Sequence, residues 1–265
     1  MGFMRIGLHI KERMKKMLGP NNKEMRNYIY SLIDNKNVNS ILDIGCGTGY
    51  DLFEIGKKVN ENTTLIGLDV MDESIEKAKI KAEKDSRFCF KNHDVSKGIP
   101  FEREFFDIVF SNNMLECIKD KDTLIEEIYR ILKPNGQIIC AHFDWDSQLI
   151  DGGNKDLVRK IVQTFNDWQQ EWMTDIDAWM GRRLWRTFNR SELFDGEIYT
   201  YVLTNTKFEE PYFGYRRIKD FEHLVNKGMI SKEEYSEFIE DIKDLARKDE
   251  YFYSITMYIY VGRKI

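Results

Sequence analysis

Four residues that can do chemistry together, Asp43, Gly45, Gly47 and Gly49, lie at and just beyond the end of a short apolar run, Ser40-Ile41-Leu42-Asp43-Ile44. Glycine in such a turn accepts a positive φ and leaves the backbone bare to a ligand. The run reads as a buried parallel strand, and apolar residues at 52, 53, 55 and 59 predict a helix leaving the turn. The N–H groups and positive dipole end of that helix would face whatever lies over the glycines. Two more carboxylates close two more apolar runs. Asp69 ends Thr64-Leu65-Ile66-Gly67-Leu68-Asp69, where a carboxylate accepts hydrogen bonds from both hydroxyls of a ribose. Asp94 follows Phe88-Cys89-Phe90-Lys91-Asn92-His93, where a carboxylate accepts the exocyclic amine of an adenine. Each acid alone reads as a cap or turn former. Together with the bare turn they read as the grip on a nucleoside.

The spacing narrows the choice of nucleotide. A dinucleotide turn reads G-x-G-x-x-G, and here Tyr50 stands where its third glycine belongs, which argues against a dehydrogenase. No G-K-[ST] follows, so the turn is not a triphosphate-cradling loop.

These residues need a scaffold that brings them to one edge. From 40 to 143, apolar runs (40–44, 64–69, 88–92, 106–110, 137–143) alternate with helical patterns, 72–84 with Asp72 as N-cap and 120–132 before the turn Lys133-Pro134-Asn135-Gly136. Alternation of this kind implies a parallel sheet covered on both faces, with ligands off the carboxyl ends of the strands. Gly45, Asp69, Asp94 and Ser111 would share that edge. Ahead of it, residues 1–38 are helical in pattern, with a basic amphipathic stretch over 9–17 read as a solvated lid, a breaker at Gly19-Pro20, and a second helix over 24–34. All five tryptophans (145, 168, 172, 179, 185) fall in 145–195, which reads mainly as helix packed over the sheet edge. Strand returns over 197–208, helices over 218–227 and 231–247 (Ser231 and Glu234 forming a capping box), and the aromatic, β-branched run 251–262 is a strand.

Bulk properties bound the rest. The 265 residues are 42% hydrophobic and 32% charged, with a formal charge of −5 that argues against a dedicated nucleic-acid binder. No apolar run is long enough to span a bilayer, and no signal-peptide core opens the chain. The cysteines (46, 89, 117, 140) are scattered without C-x-x-C and read as buried thiols in a reducing cytoplasm. The histidines (9, 93, 142, 223) show no metal-ligand spacing, so no metal is expected.

Residues 40–143 resemble the class I S-adenosylmethionine-dependent methyltransferases, in the branch shared with ubiquinone-biosynthesis and other small-molecule methyltransferases. The resemblance rests on Leu42-Asp43-Ile44-Gly45-Cys46-Gly47-Thr48-Gly49, Gly67-Leu68-Asp69, Asn92-His93-Asp94, Phe106-Asp107-Ile108-Val109-Phe110-Ser111-Asn112-Asn113-Met114-Leu115-Glu116 and Leu132-Lys133-Pro134-Asn135-Gly136, in that order. It implies an α/β, Rossmann-like, seven-stranded, mostly parallel sheet whose antiparallel last strand, about 251–262, lies between the fifth and sixth, with a helical lid. The parts are then a helical segment (1–38), a cofactor core (39–144), a substrate lid (145–195) and a completion of the sheet (196–265).

The cofactor implied is S-adenosylmethionine, leaving as S-adenosylhomocysteine, held by Asp43, Gly45, Cys46, Gly47, Gly49, Asp69, Val70, Asp94, Val95, Ser111 and Asn112. The partner expected is a small-molecule acceptor methylated on O or N, on a cytoplasmic monomer or homodimer away from membranes. An acceptor held in line with the S–CH3 bond needs little else. A general base would come from His142, Asp144 or Glu116, although a lone histidine ending a strand also serves as a structural hydrogen-bonder. Relatives often carry histidine where this chain has Cys117, so no role is expected there. Trp145 and Trp179 would stack on a planar acceptor or hold a cation, and Arg182, Arg183 and Arg186 would bind its carboxylate or phosphate, or pair with Asp175 and Asp177. An RNA or protein methyltransferase and a non-catalytic S-adenosylmethionine-binding regulator are the alternatives.

Overall fold

The computed structural model describes residues 20–169 and 177–265. The basic stretch read over 9–17, Trp172 and Asp175 therefore lie outside the described residues. The apolar run before the glycines forms β1 (Ser40–Ile44), with every residue buried. β2 (Thr64–Asp69) and β4 (Phe106–Asn112) flank it in parallel, so that Ile44 lies opposite Leu68 on one side and Ser111 on the other. β3 (Phe88–Asn92) pairs in parallel beyond β2, and β5 (Leu132–Ile150) beyond β4. With β6 (Phe194–Asn205) and β7 (Tyr253–Lys264) the sheet order is β3-β2-β1-β4-β5-β7-β6. Asp151 N, just past the end of β5, donates to Phe252 O before β7, and Ile265 N, just past β7, donates to Leu193 O before β6. The last strand in the chain thus runs antiparallel between β5 and β6, as the resemblance implies. Because β1 to β4 are parallel, Gly45, Asp69, Asp94 and Asn112 come off one edge of the sheet.

The helices are α1 (Pro20–Ser31), α2 (Tyr50–Gly56), α3 (Asp72–Ala82), α4 (Lys121–Ile131), α5 (Lys155–Asn166), α6 (Met180–Asn189), α7 (Phe213–Asp220), α8 (Glu222–Asn226) and α9 (Lys232–Arg247). None of them is long and apolar enough to cross a membrane. The chain gathers into two compact units. Among the described residues, a core unit comprises 29–143, 169, 177–200 and 257–265, and a helix-rich unit comprises 20–28, 144–168 and 201–256.

In the core unit, α4 buries Leu124, Ile125, Ile128 and Ile131, one apolar stripe, in the cluster that holds Leu42, Val109 and Ile138. α6 adds Met180, Leu184 and Phe188 to that cluster, the Phe188 ring stacked on Tyr260 at 4.3 Å. In the helix-rich unit a buried polar chain joins strands to helix. Tyr253 donates its hydroxyl to Gln148 Oε1, and Gln148 Nε2 donates to Asn166 Oδ1.

Four local expectations are corrected. Residues 145–150 continue β5 instead of opening a helix, because β7, remote in sequence, pairs with them: Thr256 N reaches the Ser147 hydroxyl. α1 spans Pro20–Ser31 instead of 24–34, and its Pro20 is tolerated because proline at the first helical position gives up only an N–H that the helix leaves unpaired. Asp72 is the first residue of α3, not its cap. Met71 holds the cap position, and Met71 N is tied to Asp69 Oδ1 at 2.9 Å. Lys133–Gly136 bulge within β5 between the pairs Phe106–Leu132 and Ile108–Gln137, with Asn135 at φ 60° supplying the turn. The capping box of Ser231 and Glu234 is present at the start of α9.

Candidate functional site

The glycine turn is pinned from below by β2. Gly45 N and Cys46 N both donate to Leu68 O at 2.8 and 3.0 Å, and Gly47 N donates to Asp69 Oδ2 at 2.8 Å. The three glycines do different work. A Cβ on Gly45 would lie 2.5 Å from Met114 Cγ, and one on Gly49 would lie 2.6 Å from the Phe90 ring. Those two make room for protein. Gly47, at φ 50°, has no atom within 4 Å of its Cβ position, so its bare face looks onto open space. A ligand can meet bare backbone there.

Asp69 accepts from Gly47 N with one oxygen and from Met71 N with the other. A carboxylate offers about four acceptor sites, so two remain for a ribose. Asn112 donates Nδ2 to Asp51 Oδ2 at 3.3 Å. That bond orients its amide, and the carbonyl oxygen is buried without a hydrogen-bond partner, an acceptor suited to an ammonium. Open backbone at Gly47, a carboxylate with spare lone pairs and an orphan amide oxygen fit the ribose hydroxyls and amino-acid end of S-adenosylmethionine.

Other residues on the same edge are already engaged. Asp94 Oδ1 accepts from Ser96 Oγ at 2.6 Å and Ser96 N at 3.1 Å, and the Ser96 hydroxyl chiefly holds the carboxyl below the usual carboxylate range. Ser111 spends its hydroxyl on Ile44 O at 2.9 Å, tying β4 to β1. Val95 packs in the core, so only its backbone can meet a ligand, and Val70 is exposed. Asp43 is buried beneath the turn. Burial pushes the Cys46 thiol far up, with the charges of Asp43 and Asp69 adding to it, so it is no nucleophile.

Two residues not singled out from the sequence join this edge. The Tyr30 hydroxyl of α1 bonds Asp51 in the first turn of α2, and Asp51 in turn holds Asn112. Asp51 follows the turn directly and was legible as a first-turn acid. Tyr30 carried no signal, because its place depends on how α1 packs.

The segment after Asp94 is anchored by α4. Glu127 Oε2 accepts from Ile99 N at 2.8 Å, and Arg130, paired with Glu127, donates to Ile99 O and Phe101 O. The hydrogen bonds from Arg130, then from Ile99 N, hold the Glu127 carboxyl down to about 2 against an ordinary 4.5. Its stabilising contribution is present in full above pH ~4.5 and disappears as pH falls toward ~2. Glu127→Gln is expected to cost about 1.5–3 kcal/mol at pH 7, the usual worth of hydrogen bonds to a charged group. The melting-temperature gap to the parent should then close as the pH is lowered through that window. A gap that is constant with pH would remove the charge from the account.

His142, at the end of the core unit's share of β5, is fully buried. Its Nδ1 lies 2.7 Å from Phe143 O, and since a carbonyl can only accept, Nδ1 carries the proton. The lone pair is on Nε2, which has no hydrogen-bond partner and lies 3.9 Å from Glu116 Oε2. Asp144, in the helix-rich unit, is also buried, its backbone carbonyl accepting from Ser147 Oγ.

In the core unit, Trp179 is 44% exposed with Arg182 and Arg183 guanidinium carbons 4.9 and 5.2 Å from its ring centre. Arg183 is committed to Asp177 at 2.6 Å, a half-buried pair. In the helix-rich unit, the Trp145 ring carries Arg217 at 4.6 Å, and Trp168 packs edge-on against Phe165.

The family model described as "Methyltransferase domain" matches residues 35–207, about two thirds of the chain. The chain belongs to the class I S-adenosylmethionine-dependent methyltransferase family. Demethylmenaquinone methyltransferase of Lactococcus lactis is 36% identical over 105 residues, 38% of this chain and 40% of that protein. An arsenite methyltransferase of Aquipseudomonas alcaligenes is 28% identical over 126 residues, 44% of this chain and 36% of that protein. The chain thus spans less than half the length of these curated relatives. Among solved structures, the YcgJ protein of Bacillus subtilis superposes with a TM-score of 0.59 at 14% identity, over 91% of this chain and 98% of that one, a likeness of fold. The methyltransferase match covers β1 to β6, and with them the glycine turn and Asp69.

Proposed function

We propose that this methyltransferase-family chain transfers the methyl group of S-adenosylmethionine to an oxygen or nitrogen of a small-molecule acceptor. The observation that carries the reading is the open backbone face of Gly47, locked in place by the same Asp69 carboxylate that keeps lone pairs for a ribose. Two of the curated relatives are named for small molecules, demethylmenaquinone and arsenite. The bound cofactor supplies a methyl already activated by its sulfonium. The rest falls to the chain. Gly45, Gly47 and Gly49 shape the loop. Asp69 takes the ribose, Asn112 and Asp43 serve the amino-acid end, and Asp94, Val70, Val95, Cys46 and Ser111 border the adenine and ribose. All four cysteines are free thiols, Cys46 and Cys140 buried as expected, but Cys89 exposed and Cys117 half-buried.

Proton removal is assigned to His142 with Glu116, the histidine holding a lone pair at Nε2 beside the carboxylate. Asp144 is the second candidate. Trp179 with Arg182 and Arg183, and separately Trp145, are the candidate acceptor contacts. His142→Gln should lower kcat while leaving S-adenosylmethionine affinity in place. An unchanged kcat would take His142 out of the chemistry.

The test of the whole reading is calorimetric titration with S-adenosylmethionine and S-adenosylhomocysteine, followed by transfer of a labelled methyl group to a panel of phenols, quinols and amines. Tight cofactor binding with label transferred to a panel member is the expected result. Binding without transfer to any acceptor would favour a non-catalytic regulator, and no binding at all would end the methyltransferase reading.

A further inference from the structure

Most arginines engaged inside either unit use their N–H groups. Arg87 bonds Asp85, Arg130 bonds Glu127, and Arg183 bonds Asp177. Arg216 and Arg217, neighbours on α7 in the helix-rich unit, behave otherwise. Arg216 Nε and Nη2 and Arg217 Nε are buried and meet no acceptor among the described residues. The carboxylate facing Arg217, Asp220, stands 3.6 Å from Nη1, beyond hydrogen-bond reach. Glu210 and Asp220 act on Arg216 by charge, against a burial that disfavours its cationic form. Buried charged donors without acceptors are costly, and a native fold that carries them in two adjacent side chains calls for an explanation such as an ion.

What holds Arg217 is its flat faces. Its guanidinium carbon lies 4.6 Å from the Trp145 ring centre, 5.2 Å from Phe165 and 5.6 Å from Phe213. Stacking of this kind fixes the plane of the guanidinium, and its Nε stays unpaired. The side chain keeps 18% exposure, so a ligand can reach it. A planar, pre-oriented fork of donors is the shape that meets the two oxygens of a carboxylate or phosphate in parallel hydrogen bonds. Phe213, Arg216, Arg217 and Asp220 recur at helical spacing, so one face of α7 presents the pair.

We propose that Arg216 and Arg217, walled by Trp145, Phe165 and Phe213, form an oxyanion-binding site for a small carboxylate or phosphate monoester. The site lies wholly in the helix-rich unit and stands independently of the methyltransferase reading. Asp220 is its built-in competitor, a carboxylate near the donors that a ligand must outdo.

The full chain is titrated with benzoate, phenyl phosphate and inorganic phosphate, with tetramethylammonium as the cationic probe. Saturable binding of an oxyanion is expected, with preference for benzoate or for the phosphates deciding which oxyanion the site takes. Arg217→Lys, which keeps the charge but loses the planar fork, should weaken that binding about tenfold or more, and Arg216→Gln should weaken it as well. Asp220→Asn should tighten it, an outcome that a purely structural arginine would not produce. Arg216 has no ring contact among the described residues and carries the test if Arg217→Lys fails to fold. Absence of saturable oxyanion binding, affinities unmoved by these substitutions, or saturable binding of tetramethylammonium alone would each overturn the proposal. S-adenosylmethionine titrated into the same proteins should bind equally in all. Its failure to bind the parent would sink the methyltransferase reading and leave the oxyanion result standing.

Discussion

Gly47→Val is expected to leave no measurable binding of S-adenosylmethionine while the protein still folds. Valine carries two methyl groups on a Cβ that would project from the open face of the turn, where no atom beyond the neighbouring residues lies within 4 Å. The new side chain therefore displaces ligand, not protein. Residue 47 also sits at φ 50°, a region that costs a β-branched residue about 1–2 kcal/mol. That cost is small against the stability of a typical domain, so the thermal transition should survive with a modest drop. The neighbouring glycines provide the contrast. Gly45→Ala would press on Met114 and Gly49→Ala on Phe90, so both should lower stability as well as binding. Calorimetry and thermal melts on the three variants separate the two effects. A Gly47→Val protein that binds the cofactor as the parent does would place the nucleoside elsewhere.

Asp69→Ala should weaken S-adenosylmethionine binding by about 3 kcal/mol or more, on the order of a hundredfold. The carboxylate does two things that cannot be replaced together. It keeps acceptors for the ribose, and it fixes Gly47 N and Met71 N at 2.8 and 2.9 Å. Without it the turn loses its restraint, and the cofactor must order the loop on binding. Asp69→Asn separates the roles, because an amide oxygen can still accept from one of the two N–H groups while its NH2 cannot accept from a ribose. An intermediate loss is expected for Asn. Unchanged affinity in the alanine protein, measured by calorimetry, would refute the ribose assignment and leave Asp69 as a loop anchor only.

The edge that carries these residues was legible because its signals are local and repeated. β1, β2 and β4 are short, mostly apolar runs, two of them closing at the glycine turn or at Asp69, and alternation with helices leaves few ways to arrange them. The C-terminal strand was legible from its aromatic and β-branched run, while its position between β5 and β6 came with the family resemblance. Residues 145–150 show the opposite case. Tryptophan, acids and glutamine do not spell a strand, and only pairing with β7, more than a hundred residues away, makes them one. Tyr30 is similar: nothing around it marks it, and it matters because α1 delivers its hydroxyl to Asp51. Ser111 and Asp94 were identified as nucleoside contacts from position, and the structure shows one hydroxyl tied to Ile44 and one carboxylate capping its own turn.

By itself, then, the order of residues determined the alternating architecture, the glycine turn and the acids that follow it, since strand ends and tight turns are set by neighbours in sequence. Tertiary structure alone decided which glycine keeps an open face, that His142 Nδ1 is the ring nitrogen turned to Phe143 O, and that Arg217 lies among three rings with its Nε unpaired. Those outcomes depend on which atoms from distant segments occupy the space around a side chain. A one-dimensional pattern carries that information only after the chain has packed.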